Sequence, residues 1–153
     1  MILAQKILFL RNVPLFSGLA PGELGQLAEI AEEAVCSAGM SIIVQGEHGD
    51  SMFLIVEGEV AIHNEEKRLA ILKARDYFGE MSILDGEPRS ASATAHTDCL
   101  LLQIRQADFH RMLSQHFQVA LAIIQTLTRR LRQVSAGSSK TLEEKNPDEQ
   151  KQS

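Results

Sequence analysis

The sequence lacks an apolar run of about 18 residues, so nothing in it reads as a membrane span. Met1–Leu10 is apolar but short, Lys6 interrupts it, Arg11 follows it, and no small-residue cleavage site comes after. It does not read as a signal peptide, and the expected location is cytoplasmic, away from any membrane. Cysteine is scarce, with only Cys36 and Cys99, and no Cys-x-x-Cys or Cys/His spacing exists. Both sit among apolar or small residues and read as ordinary buried thiols in a reducing cytosol. The five histidines, His48, His63, His96, His110 and His116, show no HxH or HExxH spacing, so no metal site is expected. An excess of positive charge is missing too. The formal net charge is -5, which argues against a nucleic-acid surface. Arg129, Arg130 and Arg132 make one local basic run, best read as a solvated helix face. No histidine stands near Ser82 or Ser90 in sequence to activate either, and no catalysis is expected.

What is present fits one globular domain. The chain has 153 residues and is 44% hydrophobic. Met1–Val35 reads helical. Pro21 suits a first-turn position, where its missing amide costs nothing. Leu24, Leu27, Ala28, Ala31 and Val35 then recur at helical spacing, and Gly39 stops the pattern. Met40–Ile104 reads as short strands at roughly 8 to 12 residue spacing, which suggests a small antiparallel barrel or sandwich. The candidate strands are Ser41–Val44, Met52–Val56, Val60–His63, Leu69–Leu72, Ser90–Ala95 and Leu100–Ile104, and strand-like sequence also ends at Tyr77-Phe78. Gly46, Gly49 and Gly58 fall in the turns, as does Asn64-Glu65-Glu66-Lys67.

Helical period returns over Ala107–Val134. Asp108, Phe109, Met112 and Leu113 suggest a first helix. Ala120, Ile124, Leu127, Leu131 and Val134 then step in a heptad-like stripe, which suits either packing on the strands or a dimer seam. Residues 135–153 are polar with mixed charge and read as a disordered tail. The expected organisation is one domain over 1–134, helical over 1–38, strand-rich over 39–105 and helical over 106–134.

The chemistry concentrates between Phe78 and Ala91. Gly79 follows strand-like sequence and precedes a short apolar run, Met81-Ser82-Ile83-Leu84, suited to one helical turn. A helix opening after glycine offers backbone amides to an anion, and glycine permits close approach. Arg89 can meet phosphate oxygens with two parallel donors. Glu80 is an odd partner for an anion alone but suits a ligand that also carries ribose hydroxyls. An acid and an arginine nine residues apart, serving one phosphate and one ribose, point to a nucleotide.

Phe78-Gly79-Glu80-Met81-Ser82 with Pro88-Arg89-Ser90-Ala91 closely resembles the phosphate-binding cassette of cyclic-nucleotide-binding domains. These domains occur in catabolite-activator-type bacterial regulators, protein kinase A regulatory subunits and cyclic-nucleotide-gated channels. The stretch from Gln45 to Val60 is similar to a second signature of that family, and Val13-Pro14-Leu15-Phe16-Ser17-Gly18-Leu19 to its N-terminal leading segment. The resemblance spans about residues 12–134. It implies an eight-stranded antiparallel β-roll of jelly-roll type with N-terminal helices and a C-terminal helical lid over the base.

It also implies site residues: Phe78, Gly79, Glu80, Met81, Ser82, Arg89, Ser90 and Ala91. Gly79 and Ser82 would give amides to the cyclic phosphate or ribose. Glu80 would accept from the ribose 2′-OH, Arg89 would pair with the phosphate, and Ser90 and Ala91 would add an amide and a hydroxyl. The expected ligand is cyclic AMP, with cyclic GMP the alternative because Ser90 follows the arginine.

The expected role is a non-catalytic sensor that signals occupancy through its C-terminal helix to an effector protein, with a homodimer through residues 117–134 as a further expectation. The regulators it resembles need a helix-turn-helix after Val134. Residues 135–153 do not read as one, so no DNA binding by this chain is expected. The starting methionine and polar tail suggest a short, stand-alone protein. The alternatives are a ligand-independent dimerisation or docking protein, and a sensor fragment of a larger regulator.

Overall fold

The computed structural model describes residues 1–65 and 67–145. Helix α1 spans Leu3–Arg11, a 3₁₀ turn covers Pro14–Phe16, and α2 spans Pro21–Ile30. Pro21 occupies the first turn of α2, and the Glu23 carboxylate accepts from the Ala20 amide at 2.9 Å. Eight strands follow among the described residues: β1 Glu32–Cys36, β2 Ser41–Ile43, β3 Ser51–Glu57, β4 Val60–Asn64, β5 Lys67–Leu72, β6 Tyr77–Phe78, β7 Ser92–Ala95 and β8 Cys99–Arg105. Helix α3, Glu80–Asp85, lies between β6 and β7. Helices α4, Gln106–Gln115, and α5, Phe117–Lys145, close the chain.

The strands form two antiparallel four-stranded sheets, ordered β1-β8-β3-β6 and β2-β7-β4-β5. The expected eight-stranded roll with flanking helices is therefore the fold. Strands β3 and β8 are largely buried on both faces, which explains the apolar runs Met52–Val56 and Cys99–Leu102. Met52, Leu54, Leu102 and Ile104 face a core shared with Leu10, Phe16, Leu27, Phe109, Val119 and Ile123 of the helical layer. Phe53, Ile55 and Leu101 face the roll interior with Ile43, Val60 and Phe78. Each such fully buried side chain contributes about 1.5–3 kcal/mol relative to exposure. Among the described residues, no helix is long and apolar enough to cross a membrane.

Three sequence expectations are corrected. Helical spacing predicts that the first helical region runs through Val35, but α2 stops at Ile30 and β1 begins at Glu32. Val35 fits a helical period with Ala31 by spacing alone. In the fold Ala34, Val35 and Cys36 pair with Leu101, Leu100 and Cys99, and Val35 points to solvent. Gly39 accordingly sits in the β1–β2 turn, where its amide donates to the Ala95 carbonyl at 2.7 Å, and caps no helix.

The strand expected from Ser90 begins only at Ser92, because Pro88–Ala91 is drawn aside by the contacts described below. The tail expected to be disordered is helical from Ser135 to Lys145, continuing α5. A helix already nucleated by packing extends cheaply, which carries it past the poor helix formers Gly137, Ser138 and Ser139 to Leu142–Lys145. Residues 146–153 of that tail, and Glu66 of the β4–β5 turn, lie outside the described residues.

Helix α4 falls where expected and buries Phe109 and Met112. In α5 the heptad-like stripe does not supply the main packing face. Val119, Ile123 and Thr126 are buried, with Ala122 and Leu127 beside them. Ile124 is 58% exposed, Leu131 67% and Val134 66%.

Candidate functional site

The site is built around a turn that only glycine tolerates well. Strand β6 pairs with β3 at Phe53 and Phe78, whose rings stack with centroids 5.3 Å apart. Gly79 then adopts φ +82, a left-handed conformation that costs an ordinary residue roughly 1–2 kcal/mol, and turns the chain into α3. The first amides of α3 have no partner within the helix. Its C-terminal side is anchored by the Ile83 carbonyl, which accepts from His110 Nε2 at 2.5 Å.

Arg89 returns across this turn. Its backbone is tied to the preceding β-roll turn: the Arg89 amide donates to the Glu47 carbonyl and the Gly46 amide to the Arg89 carbonyl, both at 2.9 Å. Its guanidinium reaches inward, with Nη1 donating to the Gly79 carbonyl at 2.7 Å and Nη2 to the Ser51 carbonyl at 2.6 Å. The residue is 7% exposed. A Cβ on Gly49 would lie 1.9 Å from Arg89 Nε, and one on Gly79 would lie 2.7 Å from Nη1. Gly49 is thus required for space, because the arginine lies flat against its backbone.

Burial lowers the pKa of Arg89, opposed by the charges of Asp50 and Glu80, and the guanidinium remains a cation in neutral water. No carboxylate lies within 4 Å of it among the described residues. The simple Glu80–Arg89 ion pair, the plainest alternative for these residues, does not form. Burial likewise raises the Glu80 carboxyl above its ordinary range, opposed by its own amide and by the Arg130 and Arg89 charges.

All eight sequence-predicted site residues line one cleft of about 160 Å³. Phe78, Gly79, Glu80, Met81 and Ser82 form one side, and Arg89, Ser90 and Ala91 the other. Phe78 contributes as wall, since its ring is buried on Phe53, whereas the Met81 side chain is exposed. Ile43, Ile62 and Ala93 supply an apolar floor that the sequence reading did not include. Alternating apolar residues on β2, β4 and β7 were the available signal.

Tyr77 was also missed. It lines this cleft and a second one of about 490 Å³ beneath α5, which Thr126, Arg129, Arg130 and Gln133 also line. Arg130 donates to Tyr77 Oη and stands 5.3 Å from the ring centroid, a cation–π contact. No three His, Cys, Asp or Glu side chains gather as a metal cluster among the described residues.

Fold and cleft together define a β-roll domain whose cleft holds a buried arginine. Comparison with known proteins names the kind. A family profile described as the cyclic nucleotide-binding domain matches residues 34–116. The chain is 38% identical over 107 residues to a cAMP-dependent protein kinase regulatory subunit of Aspergillus niger, covering 69% of this chain and 26% of that protein. It is 34% identical over 129 residues to the cyclic AMP receptor protein of Thermus thermophilus, covering 81% and 60%. Its fold matches the N-terminal domain of a transcriptional regulator from Streptomyces coelicolor with a TM-score of 0.75 and 30% identity, covering 85% of this chain and 94% of that one. The chain belongs to the cyclic nucleotide-binding domain family. It spans 26% to 60% of the length of these two curated relatives.

Proposed function

We propose that this chain is a non-catalytic regulatory module that binds cyclic AMP in the Phe78–Ala91 cleft and passes occupancy to a partner protein through α5. The observation that carries the reading is Arg89. A buried guanidinium whose protein partners are carbonyls, with no carboxylate within ion-pair reach among the described residues, is a cation held ready for an anion. Gly79 and Ser82 offer amides to the phosphate and ribose, Glu80 accepts from the ribose hydroxyl, and Ser90 and Ala91 complete the phosphate side. Cyclic AMP is favoured over cyclic GMP because both curated relatives described above carry cyclic AMP in their names.

Signalling rests on Tyr77. Tyr77 walls the cleft on the α5 side. A nucleotide seated there contacts Tyr77, on which Arg130 stands. Ligand shifts α5 only by binding one of its positions better than the other.

Calorimetry of the ligand-free protein with cyclic AMP and with cyclic GMP tests the reading. Saturable binding with cyclic AMP the tighter is expected, and no heat at high micromolar concentration of either nucleotide would sink it. A second reading is favoured by one observation, the exposed stripe Ile124, Leu131 and Val134: α5 pairs with another copy or docks on a partner without regard to nucleotide. Light scattering with and without cyclic AMP separates the two, since a dimer indifferent to nucleotide supports the second.

A further inference from the structure

The chain's two cysteines are 63 positions apart in sequence but face each other in the fold. Cys36 ends β1 and Cys99 begins β8, and the register pairs them Cα to Cα. Directly opposed residues of antiparallel strands put their side chains on the same face, with Cα atoms about 4.5–5.5 Å apart. A disulfide spans Cα separations of about 4.4–6.8 Å. Both side chains are buried in the roll interior, Cys36 at 7% exposure and Cys99 at 4%. The thiols are near enough that ionising Cys99 raises the pKa of Cys36, on top of a larger rise from burial.

The surroundings favour a bond at this place. The Ala38 amide donates to Asp98 Oδ1 at 2.8 Å and the Gly39 amide to the Ala95 carbonyl, so the strand ends are already drawn together. Closing the bond draws Cys99 Sγ away from the Glu59 and Thr97 carbonyls, to which it donates at 3.2 Å beside Gly58. Strand β1 is the edge of its sheet and pairs with β8 alone. Ser37–Met40, which follow Cys36, are exposed, and strand ends at such turns open most readily.

We propose that Cys36 and Cys99 are a modification site for thiol–disulfide exchange and form a reversible staple that pins β1 to β8. In the first step one protein thiolate attacks a low-molecular-weight disulfide, RSSR, forming a mixed disulfide and releasing RS⁻. In the second the other protein thiolate attacks the protein sulfur of that mixed disulfide, closing Cys36–Cys99 and releasing the second RS⁻. The protein loses two electrons and two protons, and RSSR becomes two RSH. The closed loop contains the whole Phe78–Ala91 cassette, so the bond restrains the unfolded chain around it. The proposal does not depend on the nucleotide reading.

Incubation of the full chain with oxidised glutathione, followed by non-reducing digestion and mass spectrometry, tests this. The expected product is monomeric, lacks two hydrogens, gives a cross-linked peptide containing Cys36 and Cys99, and returns to the dithiol with dithiothreitol. Its Tm is expected to rise on the order of 5 °C, and the Cys36→Ser protein under the same treatment to show neither cross-link nor rise. Two thiols that stay free, a glutathione retained on either cysteine without the cross-link, or bonds only between molecules would each overturn the pairing. A cross-link without a rise in Tm would overturn the staple. The peptide map is read on the natural sequence, so it decides the pairing even if Cys36→Ser does not fold.

Discussion

The cassette from Phe78 to Ala91 and helix α5 both carry arginines beside apolar residues, yet they use them in opposite ways. In the cassette Arg89 is buried, bound by two carbonyls, and pressed against two glycines. In α5 Arg130 is exposed and rests on the face of Tyr77. The first contact is set by residues that leave the guanidinium one place to go. The second depends on which face of a long helix meets the roll. A buried cation in a glycine-lined slot is a fixed feature, whereas a surface cation on an aromatic ring is a contact that can be made and broken.

Substitutions test that contrast, and the largest effect belongs to the cassette. Arg89→Ala is expected to weaken cyclic AMP binding by about 2–5 kcal/mol, the scale for truncating one side of a buried charge contact. Calorimetry reads this, and an affinity within twofold of the natural protein removes Arg89 from the site.

Adjacent positions on α5 sharpen the comparison within the helix itself. Ile123→Ala is expected to lower unfolding stability by about 2–4 kcal/mol, while Ile124→Ala stays within about 0.5 kcal/mol. Equal effects in urea unfolding would mean that the helix packs on a different face.

Gly49→Ala places a methyl group where the Arg89 guanidinium lies. It is expected to cost about 1–3 kcal/mol of stability through overpacking and to weaken cyclic AMP binding at least about tenfold. Unchanged binding would show that Arg89 can occupy another position.

Glu80→Gln separates binding from folding. Burial raises the Glu80 carboxyl above its ordinary value of 4.5. Between that value and the raised one, the folded protein keeps a proton that the unfolded chain releases. Stability therefore falls as pH rises through this window and stays reduced above it. The glutamine variant removes the loss. Without ligand it is expected to be at least as stable as the natural protein at pH 7 and to lack that pH dependence. Cyclic AMP binding should nonetheless weaken by about 1 kcal/mol. A thermal melt across pH with parallel titrations checks both halves, and a less stable variant at pH 7 would contradict the stated cost of burial.

The smallest effect is expected at Arg130→Ala. The lost cation–π contact amounts to about 0.5–1 kcal/mol at an exposed site. Hydrogen exchange should quicken over residues 127–136 of α5 and not over 117–126, and the nucleotide-dependent change in that exchange should disappear. Exchange that still responds to cyclic AMP would separate signalling from the Tyr77 contact.

Much of the site was legible because its constraints are local. Gly79, Glu80 and Arg89 lie within eleven residues, and each residue type has few other reasons to be there. All eight residues expected from the cassette line the one cleft. The strands β3 and β8 were legible as well, since burial on both faces leaves long apolar runs. What escaped notice was non-local. Tyr77 looked like the end of a strand, and nothing near it in sequence announces Arg130, 53 residues later. The β1 strand escaped because Ala31 and Val35 fit a helical period, and only pairing with β8 distinguishes the two readings.

By itself, then, the sequence determined which segments are strand-rich, which residues share the cleft, and that the cleft combines a cation with an acid. Those features depend on residue type and short spacing, which no later folding step alters. Tertiary structure alone decided that β1 is a strand, that α5 buries Val119, Ile123 and Thr126 and leaves Ile124 in solvent, and that Cys36 faces Cys99. Each of these follows from what packs opposite, and a periodic pattern states only that a face exists, without naming the surface that covers it.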